Sequence, residues 1–249
     1  GQAWPKAEFE ALWKELLILQ FHDILPGSSI ARVNDEAKLA FNDLQARAEE
    51  LSLATLGKLL GPGDGTGRTE IALVNTLSWD LAGPFTVPFP QGGLMPENAT
   101  CQHVRNLWGE DMLVFHGGRE VPAMGAVAFP LEARSHTATP RLPFFVQDDL
   151  VETPHLTVRF DANGNIVSLL HKTVGRELVR KGGVLNQFML GEDIPQMWDN
   201  WDIDADQMLK MKPGGIFVSR TVVANGPLQL RLRQAYRMGT GTGHHLHGG

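Results

Sequence analysis

The stretch Gly61-Pro62-Gly63-Asp64-Gly65-Thr66-Gly67-Arg68 separates two hydrophobic periodicities, and that change limits the folds open to the chain. Its glycines and proline break regular structure, and it carries nothing apolar to bury. Before it, apolar residues recur at three-and-four spacing, the pattern of amphipathic helices. After it they come in short runs rich in Val, Leu and Phe, separated by Gly, Pro and Asn. Such runs suit antiparallel β-domains rather than alternating βαβ units. The expected fold is α+β by segments: an N-terminal helical hairpin, then antiparallel β-sandwich-type domains, mainly β.

Pro5 suits a first helical turn, and Phe9, Leu12, Trp13, Leu16, Leu17 and Gln20 predict a helix from about 5 to 21. Pro26-Gly27 breaks it, and Ser28 or Ser29 is placed to cap a second helix. The stripe Ile30, Val33, Ala37, Ala40, Leu44, Ala48, Leu51 and Leu59 or Leu60 on that helix reads as core. It is longer than one short helix can cover, so a third helix from outside this chain is expected to complete the packing. Strands are predicted at Ile71 to Val74, Phe85 to Phe89, Met112 to Phe115, Val127 to Leu131, Leu156 to Phe160, Ile166 to Leu170, Ile216 to Val223 and Leu228 to Tyr236. Asp161-Ala162-Asn163-Gly164-Asn165 predicts a hairpin turn, because Asn-Gly tolerates positive φ. The domains expected are a helical hairpin over 1–61, a linker over 62–69, a small β-domain over 70–150, the first part of a larger sandwich over 151–238, and a low-complexity or tag-like tail over 239–249. Gly1 followed at once by a helical pattern reads as an internal start.

Composition bounds the function. A net charge of −6 with no basic stripe argues against nucleic acid or an anionic membrane as partner. No run approaches the ~18 apolar residues of a membrane span. The single cysteine, Cys101, cannot form an intrachain disulfide, so a cytoplasmic location is expected.

The chemistry concentrates at Gln20-Phe21-His22-Asp23, at the end of the first helix, with Pro26-Gly27-Ser28-Ser29 behind it. A neutral imidazole offers a lone pair to a divalent metal, and a carboxylate accepts hydrogen bonds from sugar hydroxyls. On its own, a histidine at a helix C-terminus is more simply explained as a group favoured by the helix carbonyls, and Asp23 as a turn residue.

This stretch resembles the Gln-x-His-Asp motif of glycoside hydrolase family 38, the zinc-dependent retaining α-mannosidases. Val74-Asn75-Thr76-Leu77-Ser78-Trp79 is similar to the first strand of that family's following β-domain. Asp161 to Val174, Asn186-Gln187, Glu192-Asp193-Ile194-Pro195 and Trp198-Asp199-Asn200-Trp201-Asp202-Ile203-Asp204 resemble the opening of its large sandwich domain. The resemblance implies that His22 is a zinc ligand and that Asp23 touches the bound mannose. It also implies that Trp198, Asp199, Trp201 and Asp202 lie on a loop closing the sugar pocket, although the same run reads equally well as an acidic surface loop anchored by its tryptophans.

In the family the other zinc ligands, the nucleophile and the acid/base group belong to an N-terminal α/β domain with no counterpart here. A retaining glycosidase needs both carboxyl groups across the scissile bond. The chain is therefore expected to hold no catalytic residue of its own and to be inactive alone, its substrate an α-mannoside or oligosaccharide. The alternative is a non-catalytic carbohydrate-binding or scaffolding β-sandwich protein. If the sandwich stops near Tyr236, its exposed β edges predict homo-oligomers.

Overall fold

The computed structural model describes residues 5–61, 69–133, 142–192, 194, 197 and 201–238. The chain divides into two compact units, Gly1–Thr66 with Gly191–Met211, and Gly67–Leu190 with Lys212–Gly249.

In the first unit α1 runs Lys6–Leu19 and α2 runs Ala31–Leu60, with a short α3 at Gln207–Lys210. Arg47 of α2 donates to Glu15 of α1 at 2.7 Å, and Glu8, Leu12, Leu51 and Ala54 line the seam between the two helices. At ~1.5 Å per residue, the 14 residues of α1 span only about half the length of the 30-residue α2. The geometry explains a departure from expectation. Of the two long helices, only Leu19 and Ala37 are buried, while Ile30 and Leu59 of the predicted stripe stand exposed, as do Leu39 and Leu53 outside it. A pair of helices meets along one line, which is narrower than the stripe.

The cap of α2 also differs. Ile30 occupies the N-cap position with no side-chain hydrogen bond. Ser29 instead exchanges hydrogen bonds with Asn34, donating from its hydroxyl at 2.9 Å and accepting at its carbonyl at 3.1 Å, while Ser28 turns back toward Asp23.

In the second unit, β1 (Glu70–Asn75), β2 (Phe85–Pro88), β3 (Leu94–Pro96), β4 (Thr100–Arg105), β5 (Asp111–His116) and β6 (Gly125–Ala133) make two antiparallel sheets, ordered β1-β6-β3 and β2-β5-β4. Between them lies the core of Met95, Ala99, Leu113, Phe115 and Phe129, with Ile71, Leu73, Phe85 and Val87 packed around it. Phe115 meets Phe129 edge-on at 5.1 Å between centroids. The Asn-x-Leu-Ser-Trp segment gains a structural role here. Buried Asn75 donates to the carbonyls of Trp79 and Val121 at 2.8 and 3.1 Å and accepts from the Leu77 N–H at 2.9 Å.

The remaining strands are β7 (Phe145–Val146), β8 (Leu150–Glu152), β9 (Leu156–Phe160), β10 (Ile166–His171), β11 (Arg176–Glu177), β12 (Met189–Leu190), β13 (Lys212–Pro213), β14 (Ile216–Asn225) and β15 (Leu230–Arg237). They form an antiparallel sheet ordered β11-β10-β9-β8-β7 and two separate pairs, β12-β13 and β14-β15. The β9–β10 hairpin forms where the sequence predicts it. Asp161 accepts the N–H groups of Asn163 and Asn165 at 2.8 and 2.9 Å, and Gly164 takes φ +76°. Burial opposes ionisation of Asp161, but these bonds and that of the Asn165 amide hold its pKa below the usual carboxylate range.

Candidate functional site

The His22 turn is built by the way α1 stops. Gln20 and Phe21 close the last turn onto Leu16 and Ile18, and the N–H groups of Ile24 and Leu25 both return to the Phe21 carbonyl. Gly27 then adopts φ +74°, a left-handed conformation that suits glycine, and reverses the chain. Ser28 is thereby carried back to Asp23, whose Oδ1 accepts its hydroxyl at 3.1 Å, while the Ser29 N–H reaches the Asp23 carbonyl at 3.0 Å. Asp23 is pinned on both its side chain and its backbone.

His22 is left open. Its side chain is 67% exposed, and its Nε2 lies 3.8 Å from Asp23 Oδ2, too far for a hydrogen bond. Phe21 packs on it at 4.3 Å between ring centroids, and the Trp201 indole lies 6.3 Å away, inclined at 52°. Trp201 comes from the Gly191–Met211 segment, which belongs to the same unit as the helices. The base of that segment is held by Lys210, which bridges Asp206 at 3.1 Å and Asp204 at 3.6 Å. The hydrogen bond to Asp206 raises the Lys210 pKa.

Of the residues the sequence singles out, His22, Asp23 and Trp201 share this unit, and His22 sits beside both of the others. Asp202 uses Oδ1 to accept the Ile203 N–H at 3.0 Å. Trp198 and Asp199 lie outside the described residues. Sequence reasoning missed the part played by Ser28, which it read as a helix cap. The signal that could have revealed it is the Pro-Gly reversal, which returns the chain onto itself.

The arrangement offers one solvent-facing imidazole, one fixed carboxylate and one aromatic face. Among the described residues no group of three or more His, Cys, Asp or Glu side chains is placed to hold a metal ion. Zinc takes about four donors, so these residues do not by themselves fit a zinc site. Among the described residues, no helix is long and apolar enough to cross a membrane.

The other unit holds a cavity of about 900 Å³ lined by Phe160, Phe217, Asp148, Asp149, Asp161 and Arg220. The Arg220 guanidinium lies over the Phe160 ring at 3.7 Å and donates to Gln234 Oε1 at 3.0 Å and to the Asp148 carbonyl. Burial pushes its pKa down.

Residues 1–59 match the alpha mannosidase middle domain, and residues 151–245 match the glycosyl hydrolases family 38 C-terminal domain. Human alpha-mannosidase 2C1 is 29% identical over 215 residues, covering 84% of this chain and 19% of that protein. Dictyostelium discoideum alpha-mannosidase G is 22% identical, covering 94% of this chain and 24% of its own length. The chain thus spans about a fifth to a quarter of the curated relatives it matches. Among solved structures, a glycosyl hydrolase family 38 protein from Enterococcus faecalis superposes with a TM-score of 0.66 at 15% identity, over 93% of this chain and 32% of that one. An alpha-mannosidase from Enterococcus faecalis V583 gives a TM-score of 0.66 at 14% identity, over 94% and 31%. Together these likenesses support a fragment of a glycosyl hydrolase family 38 α-mannosidase, with sequence matching the middle and C-terminal domains.

Proposed function

We propose that this chain is the middle and C-terminal part of a zinc-dependent retaining α-mannosidase and that His22 and Asp23 are its contribution to the active centre. The observation that carries this reading is the placement of exposed His22 beside Trp201, with Asp23 fixed by Ser28. In this reading His22 gives one nitrogen to zinc, and Asp23 accepts hydrogen bonds from mannose hydroxyls. Trp201, with Trp198, Asp199 and Asp202, walls the sugar pocket, an indole offering its face to a pyranose ring. The nucleophile, the acid/base carboxyl and the other zinc donors come from outside these residues, so the chain alone does not turn over mannosides. The single cysteine of the chain, Cys101, supports a cytoplasmic setting.

A second reading, carbohydrate binding without catalysis, is favoured by the Arg220 cavity, whose aromatic and carboxylate lining is chemistry that also holds sugars.

Zinc titration followed by NMR tests the first reading. A lone imidazole predicts weak binding at His22, its ring resonances moving only at zinc well above the protein concentration. Stoichiometric, tight zinc uptake at the His22 ring would contradict it.

A further inference from the structure

We infer that Gln102 is a side-chain key that locks the β14–β15 turn onto the small β-domain, and that Gly226 is the keyhole it requires. Gln102 lies in β4 and is 8% exposed, an unusual place for a long polar side chain. Both polar atoms of its amide are engaged across a wide sequence separation. Nε2 donates to the Gln229 carbonyl at 2.9 Å, and Oε1 accepts the N–H groups of Leu228 at 3.1 Å and Gln229 at 2.8 Å. Donating to and accepting from the same residue is what a neighbouring strand's peptide does, so the carboxamide takes the place of a ladder partner for this turn.

The turn is shaped for that insertion. The Gly226 N–H closes onto the Gln229 carbonyl at 3.1 Å, and a Cβ added at Gly226 would lie 2.3 Å from Gln102 Cδ. Gly226 does not take a left-handed φ, unlike Gly164 or Gly215, so its backbone conformation does not call for glycine. Space for Gln102 does. Arg231 adds a second tie, donating to the Arg105 carbonyl at the end of β4 and to the Gln229 side chain at 3.0 Å. Pairing every polar atom of a buried amide in one arrangement also fixes how the two β-domains meet, because any other arrangement leaves donors or acceptors unsatisfied. The small β-domain and the β14–β15 hairpin therefore open together, as one cooperative body.

Hydrogen exchange on the 249-residue chain tests this. Gln102→Ala is expected to speed exchange of the β14–β15 turn amides by about 10- to 100-fold. Gln102→Glu, which keeps the shape but sets a carboxylate oxygen against the Gln229 carbonyl, is expected to speed it as well. It carries the same test if the alanine variant does not fold. Gly226→Ala is expected to be disruptive alone and close to neutral once Gln102 is alanine, since the collision is then gone. Unchanged turn exchange in the Gln102 variants, or an equal effect of Gly226→Ala in both backgrounds, would overturn the inference.

Discussion

The imidazole of His22 and the indole of Trp201 lie 6.3 Å apart, inclined at 52°, although one residue follows the first helix and the other belongs to the Gly191–Met211 segment. The contact joins two segments that sequence likeness alone relates to different domains. Trp201 thus groups with His22 and the helices rather than with the strands of the second unit.

Asn75→Leu is expected to destabilise the small β-domain by about 2–4 kcal/mol. The amide is buried and satisfies the Leu77 N–H and the carbonyls of Trp79 and Val121; the first two lose this partner, while the Val121 carbonyl keeps the Leu81 N–H at 3.0 Å. Urea denaturation with m unchanged would measure it.

Gly164→Ala is expected to cost about 2–4 kcal/mol through two separate effects, a side chain at φ +76° and overpacking. The added Cβ would lie 2.5 Å from Phe217 Cδ2 and 2.6 Å from the Tyr236 hydroxyl. Because the collision adds to the backbone cost, Gly175→Ala, at φ +61° but with nothing within 4 Å, should cost clearly less.

The β9–β10 turn shows what the sequence made legible. Its glycine and flanking Asp and Asn act locally, so the hairpin could be read from five residues. The two long helices and most long strands were legible for the same reason, through their period. Strand β4 was not, because Thr100-Cys101-Gln102-His103 places a polar residue on the buried face, and its partner Gln229 is distant in sequence. The role of Ser28 escaped too, since a serine ahead of a helix is ordinarily a cap. At the site, the His22-Asp23 motif was visible, whereas the approach of Trp201 depended on tertiary packing.

Glu177 gives a pH signature. The Ser168 hydroxyl at 2.6 Å, then the N–H groups of Leu169 and Val179 at 2.8 Å, lower its pKa from 4.5 to about 2. A depressed folded-state pKa contributes stability that is fully present above the unfolded value and lost as pH falls through the folded one. The difference in urea midpoint between the parent chain and Glu177→Gln should therefore be constant above about pH 4.5 and disappear by about pH 2. Carbon-13 titration of the carboxyl group reads the same pKa directly.

Among the described residues, strands β14 and β15 pair only with each other, and Ile216, Val218 and Val222 of β14 are exposed. Unpaired edges bearing apolar side chains recruit other strands. Light scattering should show association that rises with protein concentration and falls in Val218→Lys. A monomer at all concentrations would contradict this.

The most direct test of the central claim is hydrolysis of a chromogenic α-mannoside, with zinc present, by the chain alone and after addition of the N-terminal α/β domain of a family 38 relative. No turnover is expected from the chain alone, and turnover with the added domain is expected to disappear in His22→Ala. Turnover by the chain alone that depends on His22, or restored turnover indifferent to His22, would contradict it.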